Sequence, residues 1–237
     1  MIRILTFDLD DTLWAVSPVV RAANEALYRW LQQHAPHFTD RYQLRDFNRL
    51  RDEVVSSHPH WRHSVTAIRL EVLRRGLSRS GYAGAELERL TSAAFEQFLQ
   101  ARNRVELFPH CRPMLEQLSR RFTLGALSNG NADIARIGLD DLFSFSFNAD
   151  QVGSAKPDPL MFEHMLAHTG ASPGEVIHIG DSIEHDVRGA QALGLHTLWV
   201  NLERQAAPAD PQPSLTVGCL SEIPAVIEGF QARQPQD

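Results

Sequence analysis

The tightest constraint on this chain lies at its start. A short apolar run, Ile2 to Phe7, ends in three carboxylates within four residues, Asp8, Asp10 and Asp11. The run is too short for a helix or a membrane span and reads as a buried strand. A cluster of acids at its end is costly to bury unless positive charge lies on it. A divalent cation is the simplest source of that charge, because hard cations take carboxylate oxygens. Acids at a strand end also fit the rule that open α/β sheets bind ligands beyond the carboxyl ends of their strands. Taken alone, the same acids are equally consistent with a helix N-cap and a solvated first turn.

The rest of the chain narrows the choice. From Val19 to about Gln33 the apolar residues Val20, Ala23, Leu27, Trp30 and Leu31 recur at helical spacing, and Pro36 interrupts. Leu44 to Val54 mark a second helix, Val65 to Leu73 a third stopped by Gly76, and Ala85 to Arg102 a fourth. This block carries no strand signal, and its single apolar stripes suit a small antiparallel bundle. After Phe108-Pro109, strand and helix alternate: Phe122–Leu127, Leu142–Phe147, Val176–Ile179 and Leu195–Val200 read as strands between helices. That alternation is the signature of a parallel sheet covered on both faces. The expected fold class is therefore α/β, a doubly wound, Rossmann-like parallel sheet opened after its first strand by an all-helical insert. The expected division places residues 1–14 and 106–237 in the core and 15–105 in the insert, with a mobile tail after about Gln231.

With 237 residues, 43% of them hydrophobic, the chain can bury a sizeable core. A net charge of -6 argues against a nucleic-acid partner bound on a basic face. An anionic substrate would need local positive charge from a metal, a lysine or helix N-termini. No membrane-length apolar run and no secretory signal are expected. Cys111 and Cys219, far apart, read as free thiols of a reducing compartment, and a cytoplasmic location follows.

Four spots fall at or near predicted strand ends. They are Asp8 and Asp10; Ser128-Asn129-Gly130; Lys156 before Pro157; and Gly180-Asp181-Ser182, with Asp186 five residues beyond Asp181. In a parallel sheet these ends share one edge, so distant positions converge on one pocket holding acids, a hydroxyl and a lysine. Such a set suits phosphoryl transfer: acids hold a magnesium ion, a lysine and hydroxyl grip oxygens, and a spare carboxylate attacks phosphorus to give an aspartyl-phosphate. Each residue has a plainer reading. Lys156 alone suits a solvated turn, Ser128 an N-cap, and Asp186 a first-turn acid. Asp11 and Thr12 read mainly as caps of the turn after the first strand.

Together, Asp8-Leu9-Asp10-Asp11-Thr12, Ser128, Lys156 and Gly180-Asp181-Ser182 with Asp186 resemble the four motifs of the haloacid dehalogenase superfamily, in the family's order across the whole core. The insert is similar to that family's type C1 helical cap. The resemblance is closest to bacterial phosphatases acting on flavin mononucleotide and on the phosphorylated ribitylamino-pyrimidine of riboflavin synthesis. It rests on Thr6 to Leu13, Trp61-Arg62 and Asn129-Gly130-Asn131. It implies that Asp8 is the nucleophile and Asp10 the general acid, then base. Asp10 lies two residues along an extended segment, on the side of Asp8, and crowding would favour a proton on it. It also implies Mg2+ held by Asp8, Asp181 and the backbone carbonyl of Asp10. Ser128 and the Asn129 N–H would hold a phosphate oxygen, Lys156 would neutralise the phosphate, and Asp186 and Thr12 would support these groups. The expected partner is a small phosphorylated molecule.

Trp14, Trp61, Arg62 and His63 are candidates to stack on or bind an organic leaving group, or else to pack inside the insert. His58, His60 and His63 cluster without a companion acid or cysteine and read as an insert loop rather than a zinc site. The alternatives are a 2-haloacid dehalogenase, a phosphomutase of the same fold, and a non-catalytic binding protein. An acid at position 10 favours the phosphatase over the dehalogenase, whose reaction has no leaving oxygen to protonate.

Overall fold

The computed structural model describes residues 1–233. Six strands form one sheet: β1 (Ile4–Phe7), β2 (Thr123–Ser128), β3 (Phe145–Asn148), β4 (Val176–Gly180), β5 (His196–Val200) and β6 (Leu215–Val217). Their order is β3-β2-β1-β4-β5-β6, and every pair is parallel. The central strands are buried on both faces, as their near-continuous apolar sequence requires. Leu5 and Phe7 face one core cluster with Leu115, Leu118 and Ile223, while Ile4 faces another with Phe162 and Met165. Helices therefore cover both sides, and the doubly wound arrangement expected of the sequence is observed.

After β1 the insert contributes five helices: α1 (Val16–His34), α2 (Pro36–Arg41), α3 (Asp46–Ser57), α4 (Val65–Arg79) and α5 (Gly84–Arg102). They enclose a hydrophobic cluster of their own, with Leu27, Leu31, Phe38, Leu50, Leu73 and Phe98 at its centre. On α1 the buried residues are Val19, Ala23, Leu27 and Leu31, spaced by four. On α5 they include Leu90, Ala94, Phe98 and, one further step of four, Arg102. Pro36 interrupts as expected: α1 stops at His34, and Pro36 opens the short α2 as its first residue, where the missing N–H costs nothing. One local expectation needs correction. Gly76 does not stop α4. It lies inside that helix because the Phe38 ring occupies its side-chain space, 2.4 Å from where a Cβ would stand.

The remaining helices are α6 (Cys111–Ser119), α7 (Ile134–Ile137), α8 (Ala149–Val152), α9 (Leu160–Thr169), α10 (Gly189–Gln191) and α11 (Ile223–Ala232). A π-helical turn, Ile183–Arg188, precedes α10, so helix begins three residues before the expected Asp186. Helix α11 runs past Gln231, and the rest of the expected tail lies largely outside the described residues.

Register aligns the strand ends that matter. Phe7 pairs with Ala126 on one side and Ile179 on the other. Asp8 leaves β1 with its N–H bonded to the Ile179 carbonyl at 2.8 Å. The carboxyl ends of β1, β2 and β4 thus open together beneath the insert. The insert is tied down over them. Ser64 caps α4 and donates to Asp150, Asn131 donates to Thr66 at 3.2 Å, and Arg136 pairs with Glu96 of α5.

Candidate active site

A cleft of about 170 Å³ lies at this edge, lined by Asp8, Asp10, Ser128, Asn129, Lys156 and Asp181 among others. The four chain segments singled out in the sequence therefore meet in one place. At its floor the Lys156 ammonium donates to Asp8 Oδ1 at 2.8 Å, to Asp186 Oδ1 at 2.6 Å and to the Leu127 carbonyl at 2.7 Å. All three of its N–H donors are thereby used. Asn129 sets the height of Lys156: its side chain accepts from the Lys156 N–H at 2.7 Å and donates to the Lys156 carbonyl at 2.9 Å. Ser128 Oγ accepts from the Gly130 N–H at 3.0 Å and so shapes the loop.

A buried relay behind Lys156 was not anticipated. His178 Nε2 lies 3.0 Å from Asp186 Oδ1, and its Nδ1 lies 2.9 Å from Thr6 Oγ1. A neutral ring protonated on Nε2 donates to the carboxylate and accepts from the hydroxyl. Burial, with Lys156 nearby, holds His178 below its ordinary value despite Asp186. The sequence signal was a histidine inside the buried β4, paired in register with Thr6.

Electrostatics at the cleft are unbalanced. Burial pushes Asp8 up to about 8; Lys156 pulls against it, while Asp186 and Asp181 add repulsion. Burial also pushes Asp181 up to about 6, partly offset by the Thr12 hydroxyl. Burial opposes the charge on Asp186, but Lys156 and His178 outweigh it and hold this acid below the usual carboxylate range. Burial likewise opposes the charge on Lys156, and Asp186 and Asp8 override it, keeping the ammonium charged. Three acids thus face one cation.

Among the described residues, Asp8, Asp181 and Asp186 form the one group of three or more such side chains able to close on a metal, with oxygens within 4.8 Å of one another. Asp186 is already engaged by Lys156, by His178 and by the Ser182 N–H at 3.0 Å. Asp8 and Asp181 retain oxygens for a further cation. Thr12 bridges the two, donating to Asp181 Oδ1 at 2.8 Å and lying 3.4 Å from Asp8 Oδ2. The donor set is all oxygen and fits a hard divalent ion. His58, His60 and His63 join no such group; His58 stacks on Trp61 at 4.1 Å.

Asp10 departs from expectation. Its side chain stands apart from the acidic group, with Arg102 Nη2 at 2.7 Å from Oδ1 and 2.6 Å from Oδ2, and Trp14 Nε1 at 2.9 Å from Oδ1. The crowding that the sequence suggested at Asp10 falls instead on Asp8, Asp181 and Asp186. Trp14 is fully buried and offers no face to a leaving group, which corrects its assignment as a stacking surface. Trp61 packs half-buried against the insert's own cluster, and neither it nor Arg62 nor His63 lines the cleft. Arg102 escaped sequence reading, although the α5 stripe pointed to it. A second cleft of about 480 Å³ lies between insert and core, lined by Thr66, Phe95, Leu99, Asn131, Ile134 and Asn148 among others. Asn131 follows directly on the loop residues Asn129 and Gly130 of the first cleft.

A parallel α/β sheet with this acid- and lysine-lined edge defines a hydrolase-type α/β enzyme with a helical insert. The chain belongs to the haloacid dehalogenase-like hydrolases, whose family pattern matches residues 2–194. It is 30% identical over 230 residues, 95% of this chain and 96% of the relative, to the 5-amino-6-(5-phospho-D-ribitylamino)uracil phosphatase YigB of Escherichia coli K12. It is 32% identical over 249 residues, 93% of this chain and 97% of the relative, to a phosphoserine phosphatase of Thermus thermophilus. A crystal structure described as a 2-haloacid dehalogenase from Pseudomonas syringae superposes with a TM-score of 0.92 at 36% identity, covering 97% of this chain and all of that one. Family and relatives together mark the chain as a phosphoric monoester hydrolase. No helix among the described residues is long and apolar enough to cross a membrane.

Proposed function

We propose that the protein is a Mg2+-dependent phosphatase that hydrolyses a small phosphate monoester through an aspartyl-phosphate on Asp8. The observation that carries this reading is the pairing of buried Asp8 with Lys156 at 2.8 Å, while a second carboxylate, Asp10, lines the same cleft in a separate hydrogen-bond environment. Asp8 forms the bond to phosphorus as the bond from phosphorus to the leaving oxygen breaks, and Asp10, having first taken up a proton from water, delivers it to that oxygen. Water then attacks phosphorus, passes a proton to Asp10 and releases inorganic phosphate from Asp8. Lys156 supplies fixed positive charge beside the attacking carboxylate. The loop at Ser128 and Asn129 faces the phosphate oxygens. A magnesium ion between Asp8, Asp181 and the Asp10 carbonyl would neutralise charge on the transferring group.

The rival reading is a 2-haloacid dehalogenase, favoured by the Pseudomonas syringae structure's description. An acid held in the cleft at position 10 supports the phosphatase, since halide leaves without a proton. We expect hydrolysis of p-nitrophenyl phosphate that EDTA abolishes and Mg2+ restores. Halide release from 2-chloropropionate in EDTA, without phosphatase activity, would reverse the assignment.

For substrate, the 480 Å³ cleft is within the usual range for small-ligand sites and mixes Phe95, Leu99 and Ile134 with Thr66, Asn131 and Asn148. It suits a leaving group with a polar chain and an apolar ring, such as flavin mononucleotide or the substrate in the Escherichia coli relative's name. Across a panel of phosphorylated metabolites, kcat/KM should be highest for such ribityl phosphates. A clear preference for phosphoserine would overturn this assignment of substrate.

The carboxylates also predict how pH and metal act on stability. Asp8 and Asp181 sit above their ordinary 3.8 in the folded chain, at about 8 and about 6. The native state therefore binds protons more tightly than the unfolded one. The stability this confers is full below the ordinary value and is lost as pH rises through about 6 and about 8. In EDTA, Tm should fall between about pH 5.5 and about pH 8.5, and Mg2+ should raise Tm more at the higher pH. A Mg2+ shift larger at the lower pH would contradict the metal assignment.

A further inference from the structure

Arg102 brings a charged group from the helical insert onto Asp10, behind the lining of the cleft. It lies in the last turn of α5 and is 2% exposed. A buried arginine that merely clamps two units would be expected to fork two nitrogens onto two carboxylate oxygens. Here Nη2 alone serves both oxygens of Asp10. Nη1 is left over and is, among the described residues, the only buried side-chain nitrogen or oxygen without a partner. Trp14 holds Asp10 Oδ1 from another side. Gly130 makes room from a third: a Cβ there would stand 2.6 Å from Asp10 Oδ2 and 3.4 Å from both Arg102 Nη2 and Ser128 Oγ. The carboxylate is thus fixed against the loop of Ser128 and Asn129, and the residue that fixes it belongs to a different part of the chain. Proton transfer is sensitive to such placement, since acid and acceptor must come within hydrogen-bond reach.

We propose that Arg102 is the positioning residue of Asp10: it aims this carboxylate at the leaving oxygen, so that proton delivery requires the insert to be docked on the core. The proposal rests on the phosphatase reading above. It differs from a structural role in its dependence on the leaving group. A nitrophenolate departs with little need of a proton, whereas a phenolate of nearly the same shape needs one more.

The test compares wild type, Arg102→Met and Arg102→Lys in Mg2+ on p-nitrophenyl phosphate and phenyl phosphate. Arg102→Met should lose at least tenfold more kcat/KM on phenyl phosphate than on p-nitrophenyl phosphate. Arg102→Lys, which keeps a charged donor on a similar stem, should recover part of that gap. If Arg102→Met does not fold, the same inequality is read from Arg102→Lys against wild type. Equal losses on both esters would make Arg102 a structural anchor and overturn the proposal, as would no loss on either. Failure of the wild type to hydrolyse either ester would instead bring down the phosphatase reading, and this proposal with it.

Discussion

Replacing Asp8 with asparagine is expected to lower kcat for p-nitrophenyl phosphate by about three orders of magnitude or more, a loss of about 4 kcal/mol of transition-state stabilisation. In EDTA at about pH 8 the same variant should melt at or above the wild-type temperature. The two halves have one cause. Asp8 is pushed up by burial and by repulsion from Asp186 and Asp181, so its charge is a cost in the metal-free native state. An asparagine keeps an oxygen for Lys156 and places an amide toward Thr12 and Asp181, without that charge. It cannot form an acyl phosphate. It should also flatten the fall of Tm with rising pH. Residual turnover above about one per cent of wild type would remove Asp8 from its role as nucleophile.

The site was legible where function sits next to a strand end. Asp8 follows β1 directly, Ser128 closes β2, and Asp181 follows β4, so recognising three apolar runs was enough to bring them together. Lys156 was harder. It lies on a loop between α8 and α9, and its place depends on the side chain of Asn129, a brace with no signature in spacing. Arg102 and His178 were missed for different reasons. Arg102 is 92 residues from Asp10, and a basic residue in a helix's last turn reads equally well as a partner of the helix dipole. Only its position on the Leu90–Ala94–Phe98 stripe marked it as buried. His178 was hidden by its neighbours, because a run such as Val176 to Ile179 is judged by its apolar majority. Trp14 was read by its ring, when its N–H mattered. Gly76 failed as a helix stop because Phe38, from another helix, fills its space. In each miss the deciding contact joins elements that are distant in sequence.

Removing Lys156 should have the largest effect on stability. Its ammonium is buried, and its three donors go to Asp8, Asp186 and the Leu127 carbonyl. In Lys156→Met those acceptors lose their donor, and two buried carboxylates face each other uncompensated. Breaking a buried ion pair from one side costs about 3–5 kcal/mol. For a chain of this size, each kcal/mol moves Tm by roughly 2–4 °C, so a fall of about 10 °C is expected. The loss should shrink as pH falls through about 8, because protonating Asp8 relieves the repulsion. Arginine should not substitute, since a planar fork cannot meet three acceptors arranged around one tetrahedral nitrogen. Stability and catalysis can then be separated with a second change. Lys156→Met combined with Asp186→Asn removes one charge of each sign and should regain much of the lost Tm. Turnover should stay at least about a hundredfold down, because the positive charge beside Asp8 is still missing. If the double variant recovered activity together with stability, Lys156 would be a structural counter-ion to Asp186, and the phosphate would find its positive charge elsewhere in the cleft.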